Sequence, residues 1–279
     1  MAFISEFGCW LPARVVTNEE AGAWVGADAE WVRGVSGIEE RRFARVEETV
    51  AAMASQAGLD CLRRAGVEAR SLGLVMVASG SGERSFPGPA AETALLLGIP
   101  GTPALDVPMA SAGSLFALGL AARLASSLGP ILVIGAEKMS SIALREPMER
   151  GVAVLFGDGA GAALVTPDRG PLELIDVELA SDGAYAADLC LEPGKPLTMN
   201  GRSVILQAAR KVPAVAAALG VPAARFYSNI RRYGNTSSAS MLIAAAEWLS
   251  ESPPAPGAPV VFAAFGAGFH WGAVLARAR

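Results

Sequence analysis

Ser111 stands where the apolar run TPALDVPM gives way to the small-residue stretch ASAGSLFALGLAARL. A strand running into a helix is where an α/β enzyme presents a nucleophile. The helix dipole, worth roughly 0.3–2 kcal/mol, is too weak to ionise a hydroxyl, so Ser111 needs an adjacent general base to attack anything. The other reading is that Ser111 caps the helix and packs. The one histidine, His270 in FHWG, falls in a strand pattern whose alternation turns it away from Ala267 and Phe269, so it is expected to pack. Asp158 in GDGAG, among glycines that allow close strand packing, is expected to satisfy backbone N–H groups rather than to move protons. Asn235, after Gly234 in YGNTS, suits a turn.

Strands and helices that would hold these residues alternate along the chain. AFISEFGCWL reads as an opening strand, EETVAAMASQAGLDCLRRAG as a helix ending at Gly66, and LGLVMVASG as a buried strand. AAETALLLGIP is a short helix, TPALDVPM a strand, the segment from Ala110 to Leu128 a helix, and PILVIGAE a buried strand. VAVLFGDGAGAALVTP reads as two strands around a glycine-rich kink. This order predicts a mainly parallel sheet covered on both faces. The pattern restarts after Pro167, with a boundary near residues 166–170. LELIDVELASDG is a strand, and SVILQAARKVPAVAAALG a helix kinked by Pro213. NTSSASMLIAAAEWLS is a helix rich in capping residues, and the chain closes on a pair of strands from PVVFAAFG to AVLARA. GDGAGA lacks the spacing of a dinucleotide fingerprint.

Composition narrows the class. Hydrophobic residues make up 52% and charged residues 18% of 279, which suits a packed enzyme-like fold rather than a disordered chain. The net charge of −4 and the absence of a dense basic run argue against nucleic acid. Mean hydropathy is +0.39, yet no stretch reaches the roughly eighteen apolar residues of a membrane span. MAFISEFGCWLP meets Glu6 at once and does not read as a signal peptide. Cys9, Cys61 and Cys190 are scattered and odd in number, which points to a reduced cytoplasm and no metal site.

EWVRGVSGIEERRFA, SFPGPAAETALLLGI, ALDVPMASAGSLFAL, LVIGAEKMS, ERGVAVLFGDGAGAALV, LTMNGRSV, RRYGNTSSAS and FGAGFHWGAVL, in this order, resemble the β-ketoacyl-acyl-carrier-protein synthase III family. The resemblance implies an α/β thiolase fold: two similar βαβαβ-type halves in a five-layered αβαβα arrangement. The halves would span residues 1–167 and 168–279, the second shortened. It implies decarboxylative condensation from a helix-terminal cysteine, with a histidine and an asparagine holding the thioester carbonyl and two backbone N–H groups as oxyanion donors. Ser111 takes the cysteine position and Asn235 the asparagine position, and the N–H groups of Ser111 and Ala267 become the oxyanion donors. Alanine at 267, where the family has glycine, would be strained if its φ had to be positive. No segment matches the family's histidine motif, and a helix–strand step before YGNTS is missing.

The same resemblance implies that Trp31 and Arg150 clamp the adenine of coenzyme A, and that Phe156, Met199 and Ile205 line the substrate tunnel. Val35 stands where a second arginine is expected, with Arg33 nearby. Phe86 would cross a dimer interface into the partner's acyl pocket. The implied substrate is an acyl thioester of coenzyme A or an acyl-carrier protein, in fatty-acid or polyketide metabolism, with no cofactor and no metal. Three functions follow: an acyltransferase with impaired condensation; a non-catalytic partner, homodimeric or paired with a full-length ketosynthase; or an acyl-thioester-binding module.

Overall fold

The computed structural model describes residues 2–192, 194–204, 206–207 and 225–279. The chain opens with β1 (Ala2–Trp10), β2 (Arg14–Thr17), α1 (Asn18–Trp24), α2 (Ala29–Ser36) and β3 (Glu40–Phe43). Next come α3 (Val50–Ala65), β4 (Leu74–Ala78), α4 (Pro89–Leu96), β5 (Ala104–Val107), α5 (Gly113–Leu128) and β6 (Ile131–Lys138). Two short helices, α6 (Ser140–Ala143) and α7 (Arg150–Ala153), lead to β7 (Asp158–Thr166). The remainder gives β8 (Leu172–Ser181), a small hairpin of β9 (Leu189–Cys190) and β10 (Thr198–Met199), α8 (Ile230–Tyr233), α9 (Ser240–Glu251), β11 (Pro259–Gly266) and β12 (His270–Ala278).

Local chemistry accounts for the helix ends. Thr49 caps α3 by accepting the Ala52 N–H at 3.1 Å, and Gly66 closes it in the left-handed region at φ 65°. α4 starts with Pro89 in its first turn.

One eight-stranded sheet runs β11-β12-β8-β1-β7-β6-β4-β5. Only β4 with β5 and β4 with β6 pair in parallel; the other neighbours are antiparallel, so the expected mainly parallel sheet is not what forms. The crossover helices do deliver β1, β4, β5 and β6 in one direction. β7 then threads between β1 and β6 in the other, so both of its ladders are antiparallel. The GDGAGA segment is also not a kink between two strands. α7 precedes it, and β7 is a single strand buried along its whole length. Its Gly161 admits the neighbouring helix, since a Cβ there would lie 2.7 Å from the Ile243 nitrogen on α9.

α3 and α4 cover one face of the N-terminal strands, in a core with Met53, Ala57, Val75 and Leu132. α5 and α9 lie against the other face, and the same core includes Val260 and Phe262 of β11 and Val274 and Ala276 of β12. The sheet therefore folds round these two central helices, its two parts joined where Ala2–Ile4 of β1 pair with residues 172–174 of β8. Among the described residues the C-terminal half gives β8, β12 and β11 to this sheet, against five strands from the N-terminal half. The helix expected around Pro213 lies largely outside the described residues.

Asp60 on α3 ties the helix to β1. It accepts the Cys9 N–H at 3.2 Å and hydrogen bonds from Arg63 and Arg64 at 2.7 and 2.8 Å. Burial alone would raise its carboxyl, but these three donors outweigh burial and hold it below the usual carboxylate range. A carboxyl lowered by folding stabilises above its unfolded value near 3.9, and that contribution disappears as pH falls through the folded value. Asp60→Asn should cost about 0.5–1 kcal/mol at pH 7, with the difference from wild type shrinking as pH falls below about 4. Denaturant unfolding at the two pH values checks this; an equal loss at both would contradict it.

Candidate active site

α5 begins at Gly113, and Ser111 precedes it rather than capping it: the cap position is Ala112, with no side-chain cap bond. Ser111 sits in the left-handed region at φ 62°. The other non-glycine residue with positive φ among the described residues is Ser237, at φ 50°. These two touch. The Ser111 N–H donates to Ser237 Oγ at 2.9 Å, and the two hydroxyl oxygens are 3.2 Å apart. A left-handed serine costs free energy unless its surroundings over-determine it.

What over-determines both is Glu137, fully buried in the last turn-ward stretch of β6. Its Oε1 accepts from Ser237 Oγ at 2.9 Å and from the Ser238 N–H at 3.3 Å. Its Oε2 accepts from Ser79 Oγ at 3.2 Å, the Gly80 N–H at 3.0 Å and Ser81 Oγ. Three segments, the loop after β4, the end of β6 and the turn before α9, are thereby gathered on one carboxylate. Gly135 makes room for that turn, since a Cβ on it would lie 2.1 Å from the Ser238 carbonyl oxygen. The polar run NTSSAS is therefore spent on Glu137 and not on capping α9, whose cap residue Ala239 makes no side-chain bond.

Asn235 is half-buried and is held from both sides. Its N–H donates to the Leu155 carbonyl at 3.0 Å, its own carbonyl accepts the Gly157 N–H at 3.1 Å, and its Oδ1 accepts the Ser237 N–H at 2.9 Å. That leaves the Asn235 amide NH2 as the group able to face a carbonyl. Gly157 and Gly234 both back onto the side chain of Arg41, which is fully buried and donates to Asn18 Oδ1 at 2.9 Å and the Val154 carbonyl at 2.8 Å. Burial drags the Arg41 guanidinium down to about 10.

Ala267 lies between β11 and β12 and is free of the feared strain; the positive φ of this turn, 140°, falls on Gly268. Gly266 faces the nucleophile position, because a Cβ on it would be 3.0 Å from Ser111 Cβ. His270 pairs with Gly266 across the hairpin. It is half-buried, with Nδ1 2.7 Å from Ser181 Oγ and its ring edge-on to Phe116 at 5.6 Å. It therefore packs, as expected, though at the rim and not in the core. Asp158 accepts the Ala44 N–H at 2.8 Å, the Ser140 N–H at 2.8 Å and Ser140 Oγ at 2.6 Å. Burial pushes its carboxyl up, against the downward pull of these hydrogen bonds.

Arg150, at the start of α7, places its Cζ 4.0 Å from the centre of the Trp31 ring on α2. The two expected clamp residues are thus in contact. Phe156 and Met199 share one apolar cluster with Met139 and Val152, and Phe156 bridges to Asn235. Ile205 lies outside the described residues. Arg33 is exposed and 3.8 Å from Glu39, and Val35 is exposed. Phe86 is 86% exposed. Sequence reading missed Glu137 and Ser237. The signal was there: a glutamate closing the apolar run ILVIGAE must be partnered if buried, and NTSSAS offers hydroxyls. Among the described residues no cluster of metal-binding side chains occurs, and no helix is long and apolar enough to cross a membrane.

The family model for 3-oxoacyl-[acyl-carrier-protein] synthase III matches residues 105–183, and the model for the C-terminal part of the same family matches residues 202–278. The β-ketoacyl-[acyl-carrier-protein] synthase III of Shigella dysenteriae serotype 1 is 33% identical, and that of Escherichia coli strain K12 32% identical, each match covering 97% of both chains. These alignments run over 312 residues, longer than the 279 here, so the relatives carry residues without a counterpart in this chain. The crystal structure of 3-oxoacyl-[acyl-carrier-protein] synthase III from Aquifex aeolicus VF5 superposes with a TM-score of 0.89 at 31% identity, covering 99% of this chain and 100% of that one. The enzyme of the same name from Thermus thermophilus gives 0.87 at 31%, covering 98% of each.

The close seat of the 237–239 turn on β6 is testable. Gly135→Ala should lower the melting temperature by roughly 3–10 °C, the fall expected of overpacking by about 1–3 kcal/mol in a chain of this size. Gly101→Ala, where a Cβ meets nothing within 4 Å, is the control and should change little. An unchanged melting temperature in Gly135→Ala would contradict the packing described.

Proposed function

The chain belongs to the β-ketoacyl-[acyl-carrier-protein] synthase III family and has its thiolase fold; from that premise we propose that it binds an acyl thioester of coenzyme A or an acyl-carrier protein, accepts the acyl group on Ser111, and does not carry out decarboxylative condensation. The observation that carries this reading is the hydroxyl of Ser111, held on a left-handed backbone and bonded to Ser237, at the position where the family has its cysteine. Condensation needs a group to stabilise the enolate of a malonyl thioester. Asn235 alone would remain for that, since no histidine matches the family's and His270 is bonded to Ser181. Of the two expected oxyanion donors, the Ser111 N–H is committed to Ser237, which leaves that of Ala267.

Trp31 and Arg150 support the substrate class. Opened to admit a purine, a tryptophan face and a guanidinium form an aromatic and cation–π sandwich. A second reading, a non-catalytic partner subunit, is favoured by exposed Phe86 and by the edge strand β5 with its exposed Leu105, surfaces suited to a homodimer or to pairing with a cysteine-bearing relative.

Incubation with a labelled acyl-coenzyme A followed by peptide mass analysis should give an acyl increment on the peptide containing Ser111, absent in Ser111→Ala. No decarboxylation of malonyl thioester above background should accompany it. Trp31→Ala should weaken coenzyme A binding by roughly 5–100-fold, the equivalent of about 1–3 kcal/mol of lost stacking. Stable co-purification with a cysteine-containing ketosynthase, without any adduct, would decide for the partner reading instead.

A further inference from the structure

We propose that Ser237 and Glu137 form a hydroxyl relay that takes the proton of Ser111 and so replaces the missing imidazole; this rests on the reading of Ser111 as an acyl acceptor. The direction of the relay is set by counting protons. Ser237 has one hydroxyl proton, and it goes to Glu137 Oε1 at 2.9 Å. The 3.2 Å contact between the two serines therefore has Ser111 as donor and Ser237 as acceptor. Both protons point inward, along one line from the nucleophile to a carboxylate.

The line is sealed. Glu137 is fully buried, and Ser237 is 4% exposed, so bulk water does not compete for either. The groups facing Glu137 are uncharged: the hydroxyls of Ser79, Ser81 and Ser237 and the N–H groups of Gly80 and Ser238. Its neighbour in sequence, Lys138, sends Nζ to the carbonyls of Arg45, Val46 and Glu48, and Asp158, opposite Lys138 on β7, is taken up by Ser140 and Ala44. Among the described residues no cation lies against this carboxylate, so the proton that Ser237 passes meets an uncompensated negative charge. Strain points to the same pair, because both left-handed serines of the described chain are members of the relay. His270 is the competing base, but its Nδ1 is bonded to Ser181 and its ring packs on Phe116.

The step balances. Ser111 Oγ bonds to the thioester carbonyl carbon as its proton passes to Ser237 Oγ, and the proton of Ser237 passes to Glu137 Oε1. Collapse of the tetrahedral intermediate breaks the C–S bond and expels the thiolate. The proton then returns from Glu137 through the Ser237 hydroxyl to the thiolate, restoring the carboxylate and leaving Ser111 as the acyl ester. Ser237 meets the reacting oxygen of Ser111 and is catalytic in this scheme; Glu137, which acts through Ser237, is a positioning residue.

The test uses two electrophiles on the full chain, over pH 5–9. An acyl-coenzyme A reports the thioester reaction; a fluorophosphonate reports the nucleophilicity of Ser111 with no need of a thioester site. Ser237→Gly removes the hydroxyl at a backbone angle that glycine prefers, so it should fold; Glu137→Gln is the second variant, and thermal unfolding checks both. With the wild type, both the acyl-coenzyme A and the fluorophosphonate reactions should proceed at Ser111. Either variant should label at least 100-fold more slowly, with a residual rate that climbs about tenfold per pH unit as hydroxide takes over. His270→Ala should stay within about twofold of wild type. A Ser237→Gly protein that labels as fast as wild type, or wild-type labelling that His270→Ala abolishes, would overturn the relay. So would a wild type that neither probe labels. Fluorophosphonate labelling that depends on Ser237, with no acyl adduct from the thioester, would uphold the relay and reject the acyl-acceptor reading.

Discussion

A carboxylate with no cation partner among the described residues, sunk at the end of β6, organises this molecule's site. Glu137 accepts five hydrogen bonds from two segments that are distant from it and from each other in sequence. An ionised carboxylate only accepts, and leaving it unsatisfied in the interior would cost several kcal/mol. The loop after β4 and the turn before α9 must therefore stay where their hydroxyls and amides reach it. Everything else about Ser111 follows from that anchoring. Ser237, fixed by Glu137, accepts the Ser111 N–H and holds the backbone of the nucleophile position in a conformation serine would otherwise avoid.

Close approach makes the anchoring possible. Gly135 lets the 237–239 turn lie directly on β6, and Gly266 lets the end of β11 abut Ser111. Gly157 and Gly234 do the same around the buried Arg41, which props the segment carrying Asn235. The site is thus built by backbone pressed on backbone, with two buried charged side chains, Glu137 and Arg41, supplying the hydrogen-bond partners that such packing leaves short. Neither is an obvious functional residue by position, yet both set where the functional side chains stand.

The exchange of cysteine for serine changes what the surroundings must supply. A thiol is brought towards ionisation by a helix terminus; a hydroxyl, several pKa units weaker as an acid, needs a proton acceptor in line with it. The one histidine of the chain, His270, is bonded to Ser181. The described strands show how the fold closes: β11 and β12 pack on α5 and α9, so the central layer that carries Ser111 keeps a sheet on each side.

Much of this was legible from residue order alone. Buried strands such as LVMVA and ILVIGAE, the capped helix ending at Gly66, and the closing hairpin are local patterns, and local patterns survive in sequence. The segments carrying Ser111, Asn235, Trp31 and Arg150 were readable as motifs too, and the structure brings Trp31 and Arg150 into contact. What residue order did not reveal was pairing. The antiparallel insertion of β7, the rim position of His270, and the convergence of residues 79–81 and 237–238 on Glu137 all depend on contacts between segments far apart in the chain, as between Glu137 and Ser238, 101 residues apart. A sequence states that Glu137 is charged and that its strand is apolar. Only the tertiary structure decides which donors meet that charge, because burial forces partners on it without specifying from where in the chain they come.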